Sequence, residues 1–206
     1  MKIAVIGAGN VGGTLGRAWA GSGHQVVFGV RDVNSDKVKK LISESKGKAK
    51  AASVPDAVAQ SDVVLLATPW EGSRAALQSA GNLAVNPVEI SPAFLEKGLL
   101  VGHTTSASEQ IAQWAKGAKV VKAFNTIGSI HMTNPRFGGQ SATMFICGDD
   151  ADAKKTVKQL SDELGFETVD AGPLKAARLL EPLAMLWMHL AFGAIGPNFG
   201  FKVIRK

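Results

Sequence analysis

Short apolar runs alternate with amphipathic segments along the first half of the chain. Runs rich in Val, Ile and Ala predict strands at Ile3–Ile6, Gln25–Phe28, Val63–Ala67 and, more weakly, Ala49–Ala52. Helical spacing predicts helices at Val11–Ser22 and Ser35–Ser45, after Ser53, and from Trp70 to about Ala80. Apolar strands that alternate with helices predict an α/β fold whose mainly parallel sheet is covered on both faces.

The second half continues the pattern less regularly. Predicted strands lie at Lys119–Ala123, Ala142–Cys147 and Thr168–Ala171, and predicted helices at Ser108–Ala115 and Asp150–Leu164, with a Gly-, Asn- and Pro-rich loop before Gln140. After the helix that ends near Ala80, only Leu83–Val85 is available as a strand before Asn86–Pro87. That segment is shorter than a usual strand of about five or six residues, so the chain is irregular there.

The C-terminal segment, residues 174–206, combines a long apolar helix with an apolar tail. The helix is predicted at Leu174–Phe192, with one apolar stripe and further apolar residues around it: Leu179, Leu183, Leu186, Trp187, Leu190; Leu180, Met185, Met188. A helix that is apolar nearly all round needs cover on its second side, from a partner subunit or from its own chain. The tail adds Phe199, Phe201, Val203 and Ile204, as a docked or swapped segment would. We predict one domain, residues 1–206, whose C-terminal helix and tail, residues 174–206, contribute to an acceptor pocket or to dimerisation. A homodimer through this segment is expected.

Composition and charge narrow the function classes. The chain has 206 residues and a single cysteine, Cys147, which indicates a reducing, cytoplasmic setting and a core thiol. No apolar run reaches the roughly 20 residues of a membrane helix, and the short apolar N-terminus predicts a buried strand, not a signal peptide. The net charge is +6, and many of the lysines lie between Lys37 and Lys50. No aromatic residues interleave them, so we predict no nucleic-acid platform; they form a solvated face or a field that favours anionic cofactors.

The motif "GAGNVG" carries the clearest chemistry. Gly7, Gly9 and Gly12 follow a predicted strand directly and open a predicted helix, the context that gives G-x-G-x-x-G its meaning. Gly7 permits a tight turn, Gly9 lets a pyrophosphate approach the backbone, and Gly12 lets helix and strand pack closely. The N–H groups of Asn10 and Val11 then face the phosphates. The predicted fold class is therefore a doubly wound Rossmann fold with helices on both faces of the sheet, plus the long apolar C-terminal helix.

The end of the second strand indicates which dinucleotide binds. An acid that reads the ribose normally closes this strand, but the position is Gly29. Arg31 follows in the turn where a 2′-phosphate would lie, and its guanidinium suits a phosphate. Asp32 is interpreted as a turn or cap residue. We therefore predict NADP(H) as the cofactor in preference to NAD(H).

Three further segments are expected to line the crevice. Thr68, Pro69 and Trp70 end the fourth predicted strand, and Trp70 either packs along the dinucleotide or plugs a loop. Thr104, Thr105 and Ser106 precede a helix that they can cap. Ala123, Phe124, Asn125 and Thr126 end another strand, where Asn125 and Thr126 can hydrogen-bond a nicotinamide amide.

The inventory of proton-transfer groups is poor. The chain has no tyrosine, which excludes a Tyr/Lys relay, and it has no G-x-S-x-G elbow. The four histidines, His24, His103, His131 and His189, show no metal-ligand spacing, so we predict no metal. No catalytic residue is assigned, and a flavin or deazaflavin acceptor fits because solvent can supply its proton. The alternatives are a dehydrogenase for a small carbonyl or imine, or a non-enzymatic NADP(H)-binding subunit.

Taken together, the segments resemble the NADPH:coenzyme F420 oxidoreductases and, less directly, the NADPH-binding domain of six-transmembrane metalloreductases. The resemblance rests on "GAGNVG", "GVR", "TPW", "GHTTSASEQ", "KAFNT", "CGDD" and "DAGPLKAARLLEPL". It implies hydride exchange between NADP(H) and a deazaflavin in a homodimer. By position it implies that Gly9, Asn10 and Val11 hold the pyrophosphate, Arg31 the 2′-phosphate, Pro69 and Trp70 the dinucleotide, and Ala123–Thr126 the nicotinamide.

Two departures from this family accompany the resemblance. Val30 stands where members often carry Ser or Asn as a second phosphate ligand. Between Asn82 and Pro87 the chain is shorter than in the family, where a fuller strand is usual.

Overall fold

A computed structural model describes residues 1–45, 47–81, 83, 86–89 and 101–206. The strands are β1 Lys2–Ile6, β2 Gln25–Gly29, β3 Ala49–Ala52, β4 Val63–Leu66, β5 Asn86–Glu89, β6 Val121–Lys122, β7 Arg136–Phe137, β8 Gln140–Ser141, β9 Thr143–Gly148 and β10 Glu167–Asp170. The α-helices are α1 Asn10–Gly21, α2 Asp36–Glu44, α3 Val54–Ala59, α4 Trp70–Ala80, α5 Ala107–Trp114, α6 Ala151–Asp162 and α7 Ala177–His189. Most of the predicted elements occur within one or two residues of their expected bounds.

The described strands form an eight-stranded sheet in the order β10-β9-β6-β5-β4-β1-β2-β3. All neighbouring strands are parallel except β6 and β9, which are antiparallel. The order reverses between β1 and β4, so the crevice of a doubly wound sheet opens at their carboxyl ends. The predicted α/β class with a mainly parallel sheet is confirmed.

Helices cover both faces of the sheet with separate apolar cores. Residues of α1, α2 and α6 share one core with β1 and β2, and the Trp19 indole of α1 donates to the Leu160 carbonyl of α6 at 3.1 Å. Residues of α3, α4 and α5 form the other core. None of the described helices has both the length and the apolarity needed to cross a membrane.

The strand beside β4 lies later than predicted. It is Asn86–Glu89, whereas the sequence favoured Leu83–Val85; Leu83 belongs to no strand, and residues 84 and 85 lie outside the described residues. Pro87 lacks an N–H donor, which argues against a central strand. Here Pro87 pairs with Val64 of β4 only, because β6 pairs with Val88 and Glu89. The proline is therefore tolerated as it would be at an edge.

The loop before Gln140 holds a small hairpin that the sequence analysis did not predict. Strands β7 and β8 pair antiparallel around Gly138 and Gly139, both of which have positive φ (55° and 84°). A Gly-Gly pair between short strands is a known hairpin signal, so this hairpin could have been predicted from the sequence.

The C-terminal helix is built from a 3₁₀ turn at Leu174–Ala176, α7, and a π-helical turn at Leu190–Ala194. The predicted apolar stripe does not form one buried face. Leu180, Ala184 and Trp187 are buried against the chain, whereas Leu179 is 73% exposed and Leu186 is 47% exposed. The face of α7 that packs lies one helical position away from the predicted stripe.

The tail packs on its own chain over much of its length. Phe199 stacks on Trp187 with 5.3 Å between ring centroids, and its carbonyl accepts from the Trp187 indole N–H. Phe201 and Val203 exchange hydrogen bonds with Thr143 of β9. This part of the tail is therefore docked within the same chain.

Cys147 is fully buried, as predicted for a core thiol, and desolvation raises its pKa to about 12. We expect a pH effect on stability. Above the ordinary thiol pKa of 9.0 the unfolded chain releases this proton and the folded chain keeps it, so the free energy of unfolding falls as pH rises. Urea unfolding of wild type and Cys147→Ala at pH 7, 9 and 10 should show a steeper fall for wild type, by up to roughly 1.4 kcal/mol per pH unit. Equal slopes would contradict this.

Candidate functional site

The glycine loop connects β1 to α1 at the reversal of strand order. Gly7 has φ +104°, and a Cβ there would lie 2.5 Å from the Ala67 carbonyl oxygen at the end of β4. At Gly12 a Cβ would lie 2.1 Å from the Gly7 carbonyl oxygen. Both glycines are therefore required by the turn and by packing, which agrees with the roles predicted for them.

Gly9 is different from the other two glycines. Its φ and ψ, −78° and −166°, are open to any residue, and no atom lies within 4 Å of an added Cβ. Neither backbone nor packing within the described residues calls for glycine here. The open space at Gly9 lets a group from outside the chain approach this backbone closely.

The start of α1 has features that favour an anion. Asn10 and Val11 lie in the first turn, whose N–H groups have no intrahelical acceptor. Gly9 supplies no side-chain cap, and the first turn has no acid to balance the positive end of the helix dipole. Donors and dipole together favour a phosphate.

We expect Gly9→Ala to separate binding from folding. The variant should unfold with the wild-type free energy, since its methyl group meets no atom of the described residues. It should lose roughly tenfold or more in dinucleotide affinity, because the methyl group occupies the approach to the N–H groups. Gly12→Ala is the matched comparison, and its clash should cost about 2–3 kcal/mol of stability. Urea unfolding and fluorescence titration measure both; unchanged affinity in Gly9→Ala would contradict the assignment.

The turn after β2 lies beside the glycine loop, since the Gly7 N–H donates to the Gly29 carbonyl at 3.3 Å. A Cβ at Gly29 would come within 3.3 Å of the Ala57 Cβ of α3, so this position has little room for a ribose-reading acid. Asp32 accepts from the Asn34 N–H at 2.9 Å, which is the turn role predicted for it. Arg31 is exposed in the same turn.

A cavity of about 520 Å³ lies between the glycine loop, α1 and α2. Lys37 and Lys40 of α2 and Arg17 of α1 line it, facing one carboxylate, Glu44, which pairs with Arg17 at 2.9 Å. Two roles were predicted for these lysines from the sequence: a solvated helix face, or a positive field that favours anionic cofactors. Their i, i+3 spacing places two of them on one helix face, and this is the signal that would have singled them out.

The residues at the end of β4 lead directly into α4. Thr68 is half-buried, and its hydroxyl lies 3.0 Å from the Ser73 hydroxyl of α4. Pro69 is exposed and caps α4, which Trp70 begins. The Trp70 ring stacks on Trp114 of α5 with 5.2 Å between centroids. This contact joins α4 to α5, so the indole packs within the helical layer, as a loop plug would.

The end of β6 brings buried polar groups to the crevice edge. Ala123 and Phe124 are fully buried, and Phe124 has φ +57°, a left-handed conformation that costs energy in a bulky residue. The Asn125 side-chain N–H donates to the Leu180 carbonyl of α7 at 2.8 Å. Asn125 Oδ1 and Thr126 Oγ1 are buried with no hydrogen-bond partner among the described residues.

Glu181, a buried carboxylate on α7, was not among the residues predicted from the sequence. It accepts hydrogen bonds from the Ala107 and Ser108 N–H groups at 2.9 and 3.1 Å, and so caps α5 from another element. Its Oε1 also lies 3.6 Å from Nζ of Lys122, which is fully buried in β6. One carboxylate therefore joins α5, β6 and α7.

The first turn of α5 has a second ionic contact with α7. Ser106 caps the helix by accepting from the Glu109 N–H at 3.1 Å, which confirms the capping role predicted for this segment. Arg178 donates two hydrogen bonds to Glu109, at 2.8 and 2.6 Å. These Arg178 bonds are the main reason that the pKa of Glu109 lies below its usual value. The pair holds α7 against α5.

Comparison with known proteins identifies relatives over the whole chain. The family described as NADP oxidoreductase, coenzyme F420-dependent, matches residues 2–95. A solved structure from Arthrobacter sp. FB24, assigned as an F420-dependent NADP-reductase, is 34% identical with a TM-score of 0.91 and 100% coverage of both chains.

Two curated relatives extend the comparison. The F420-dependent NADP reductase of Methanothermobacter thermautotrophicus is 26% identical over 98% of this chain and 94% of its own length. Metalloreductase STEAP3 of Rattus norvegicus is 30% identical over 99% of this chain, which spans 42% of that protein. On these likenesses, the chain belongs to the family of coenzyme F420-dependent NADP oxidoreductases and is an NADP-dependent oxidoreductase.

Proposed function

We propose that the protein transfers a hydride between NADP(H) and a deazaflavin, coenzyme F420, or a flavin. The observation that carries the proposal is the likeness in fold and sequence, over the full chain, to a structure assigned as an F420-dependent NADP-reductase. The geometry supports it through an anion-binding helix start that no acid compensates and through a glycine that no protein contact requires.

The binding roles are assigned as follows. Gly7, Gly9, Asn10, Val11 and Gly12 form the pyrophosphate loop. Arg31 binds the 2′-phosphate, and the nearby cations Lys37 and Lys40 of α2 compensate electrostatically for the absent hydroxyl at Val30. Thr68 and Pro69 border the dinucleotide at the end of β4, and Trp70 supports this wall through its stack on Trp114.

The nicotinamide is assigned to the end of β6, at Ala123, Asn125 and Thr126. Asn125 Oδ1 and Thr126 Oγ1 are buried polar atoms without partners among the described residues, and a carboxamide that gains access to them would satisfy both. The bond from Asn125 to the Leu180 carbonyl fixes this amide relative to α7. Bound NADPH supplies the hydride, and the chain contributes position and orientation.

The proton balance favours a flavin-type acceptor. The hydride goes to C5 of a deazaflavin or N5 of a flavin, and solvent can protonate the reduced ring. A carbonyl or imine would need a placed acid, and the chain has no tyrosine for that role. His103, the histidine nearest the predicted crevice segments, is exposed.

Steady-state oxidation of NADPH with coenzyme F420, FMN and FAD tests the proposal. Reduction of at least one acceptor, with NADPH preferred over NADH, is the expected result. Turnover of a carbonyl or imine panel without reduction of any of the three acceptors would favour the alternative dehydrogenase function.

We further propose that residues 1–206 form one domain and that the C-terminal segment makes a homodimer. Four of the eight large apolar side chains exposed among the described residues lie between positions 179 and 195. These four, Leu179, Leu186, Phe192 and Ile195, define a C-terminal apolar face, which a second copy of the chain would cover. We also propose that the protein is cytoplasmic, and its single cysteine, which is free and buried, supports this.

Leu186→Glu is expected to convert the dimer to a monomer at micromolar concentration, because the charge would be buried in the interface. Since Leu186 is 47% exposed in the single chain, the fold should survive. Sedimentation velocity measures the outcome, and Leu186→Met is the conservative control that should remain dimeric. A wild-type protein that sediments as a monomer would refute the dimer.

A further inference from the structure

A second cavity, of about 530 Å³, adjoins the one beside the glycine loop. It lies between α1 and the 3₁₀ turn at Ser129–His131. Its lining residues are Thr14, Arg17, Ala18, Ser129, Ile130 and Thr133, and we name it the α1-turn groove. Four of these residues, Thr14, Arg17, Ser129 and Ile130, also line the first cavity, so the two spaces are continuous.

The groove combines a cation with an exposed apolar side chain. Arg17 keeps 39% of its side chain exposed while one guanidinium nitrogen pairs with Glu44 at 2.9 Å. A guanidinium has five N–H donors, so this pairing leaves donors for a second anion. Ile130 is 64% exposed at the mouth, and hydroxyl groups of Thr14, Ser129 and Thr133 complete the lining.

The groove extends the first cavity beyond the positions assigned to the cofactor phosphates, to Ala18 and Thr133. The pyrophosphate is assigned to the start of α1 and the 2′-phosphate to the turn after β2. The groove lies past Arg17, beside Ser129 and Ile130, which follow Asn125 and Thr126 closely in the chain. A molecule stacked on a nicotinamide at the end of β6 can therefore extend a side chain over this turn.

We propose that the α1-turn groove binds the anionic side chain of the hydride acceptor. The ligand class is a ring carrying a ribityl phosphate ester. Arg17 binds the phosphate, the lining hydroxyl groups bind the ribityl hydroxyls, and Ile130 contacts the carbon atoms of the chain. This inference rests on the proposed function and adds its substrate selectivity: acceptors with a phosphate ester should be preferred over the same rings without one.

Matched acceptor pairs test the proposal. FMN and riboflavin share one ring and differ by the phosphate, and 5-deaza-FMN and 5-deazariboflavin form a second pair. We expect wild type to favour the phosphorylated member by roughly tenfold or more in kcat/KM. Arg17→Gln should bring the ratio near one by losing activity with the phosphate ester alone, with KM for NADPH unchanged.

Control variants isolate the charge of Arg17. Arg17→Gln with Glu44→Gln should also give a ratio near one, which excludes repulsion by the released Glu44 carboxylate as the cause. Lys155→Gln removes the same charge from the exposed face of α6 and should keep the wild-type ratio. Ile130→Asp changes an exposed side chain and should lower activity with FMN more than with riboflavin.

The outcomes are distinguishable. The groove proposal would be refuted if wild type used both members of a pair equally, or if Arg17→Gln kept the wild-type ratio of kcat/KM values. The proposed function would be unaffected by either result. If Arg17→Gln raised KM for NADPH and kept the wild-type ratio of kcat/KM between the acceptors, Arg17 would be assigned to the cofactor. That result would also refute the groove proposal. If wild type reduces neither the flavins, the deazaflavins nor coenzyme F420, the proposed function itself fails.

Discussion

Arg31→Ala is expected to weaken NADPH binding by roughly 10- to 100-fold and to leave NADH binding within about twofold. A charge-assisted contact with a phosphate contributes about 1.5–3 kcal/mol, and only NADPH carries the 2′-phosphate. Arg31 is exposed, so the fold should be unaffected. Fluorescence titration with both cofactors measures the two dissociation constants.

The control for this experiment is Arg205→Ala. Arg205 is also exposed, and it follows Lys202, which pairs with Glu167 of β10 at the opposite end of the sheet from β2 and β3. It should leave both affinities unchanged. Equal losses for NADPH and NADH in Arg31→Ala would show that the arginine does not read the 2′-phosphate.

Glu181→Ala is expected to destabilise the protein by about 3–5 kcal/mol, the usual cost of removing one member of a buried ion pair. The change takes the acceptor from two N–H groups at the start of α5 and an ion-pair partner from Lys122. At about 2–4 °C per kcal/mol for a chain of this size, the loss corresponds to a Tm lower by roughly 10 °C.

Thermal and urea unfolding check this value against two variants. Glu181→Gln keeps an oxygen acceptor and should retain part of the stability. Glu71→Ala removes an exposed carboxylate from the first turn of α4 and should cost no more than about 1 kcal/mol. A Glu181→Ala protein as stable as Glu71→Ala would show that the buried contacts contribute little.

The features predicted correctly from the sequence depend on neighbours along the chain. Gly7 has the positive φ of a tight turn, and a Cβ at Gly12 would meet the Gly7 carbonyl five residues before it. Asp32 closes a turn with Asn34. Local backbone geometry determines these roles, so spacing and residue type suffice to find them.

The features that were missed or misplaced depend on the tertiary fold. Nothing beside Glu181 indicates that it caps α5, because its partners lie far away in sequence. The packed face of α7 was misplaced because residues on several of its sides are apolar, and the contacts alone decide which side is buried. Pro87 indicated a strand end. Strand β5 tolerates it because β6 is short and pairs only with Val88 and Glu89.

The cap on α5 has a consequence for how the protein is made. The carboxylate that completes this helix start lies 74 residues after Ala107 in the chain. On a ribosome, the first turn of α5 must wait for α7 to emerge before it can acquire these native hydrogen bonds. The glycine loop and β1–β4 can assemble earlier, because their contacts close within the first third of the chain. The glycine loop can therefore form during synthesis before α5 acquires its native first turn.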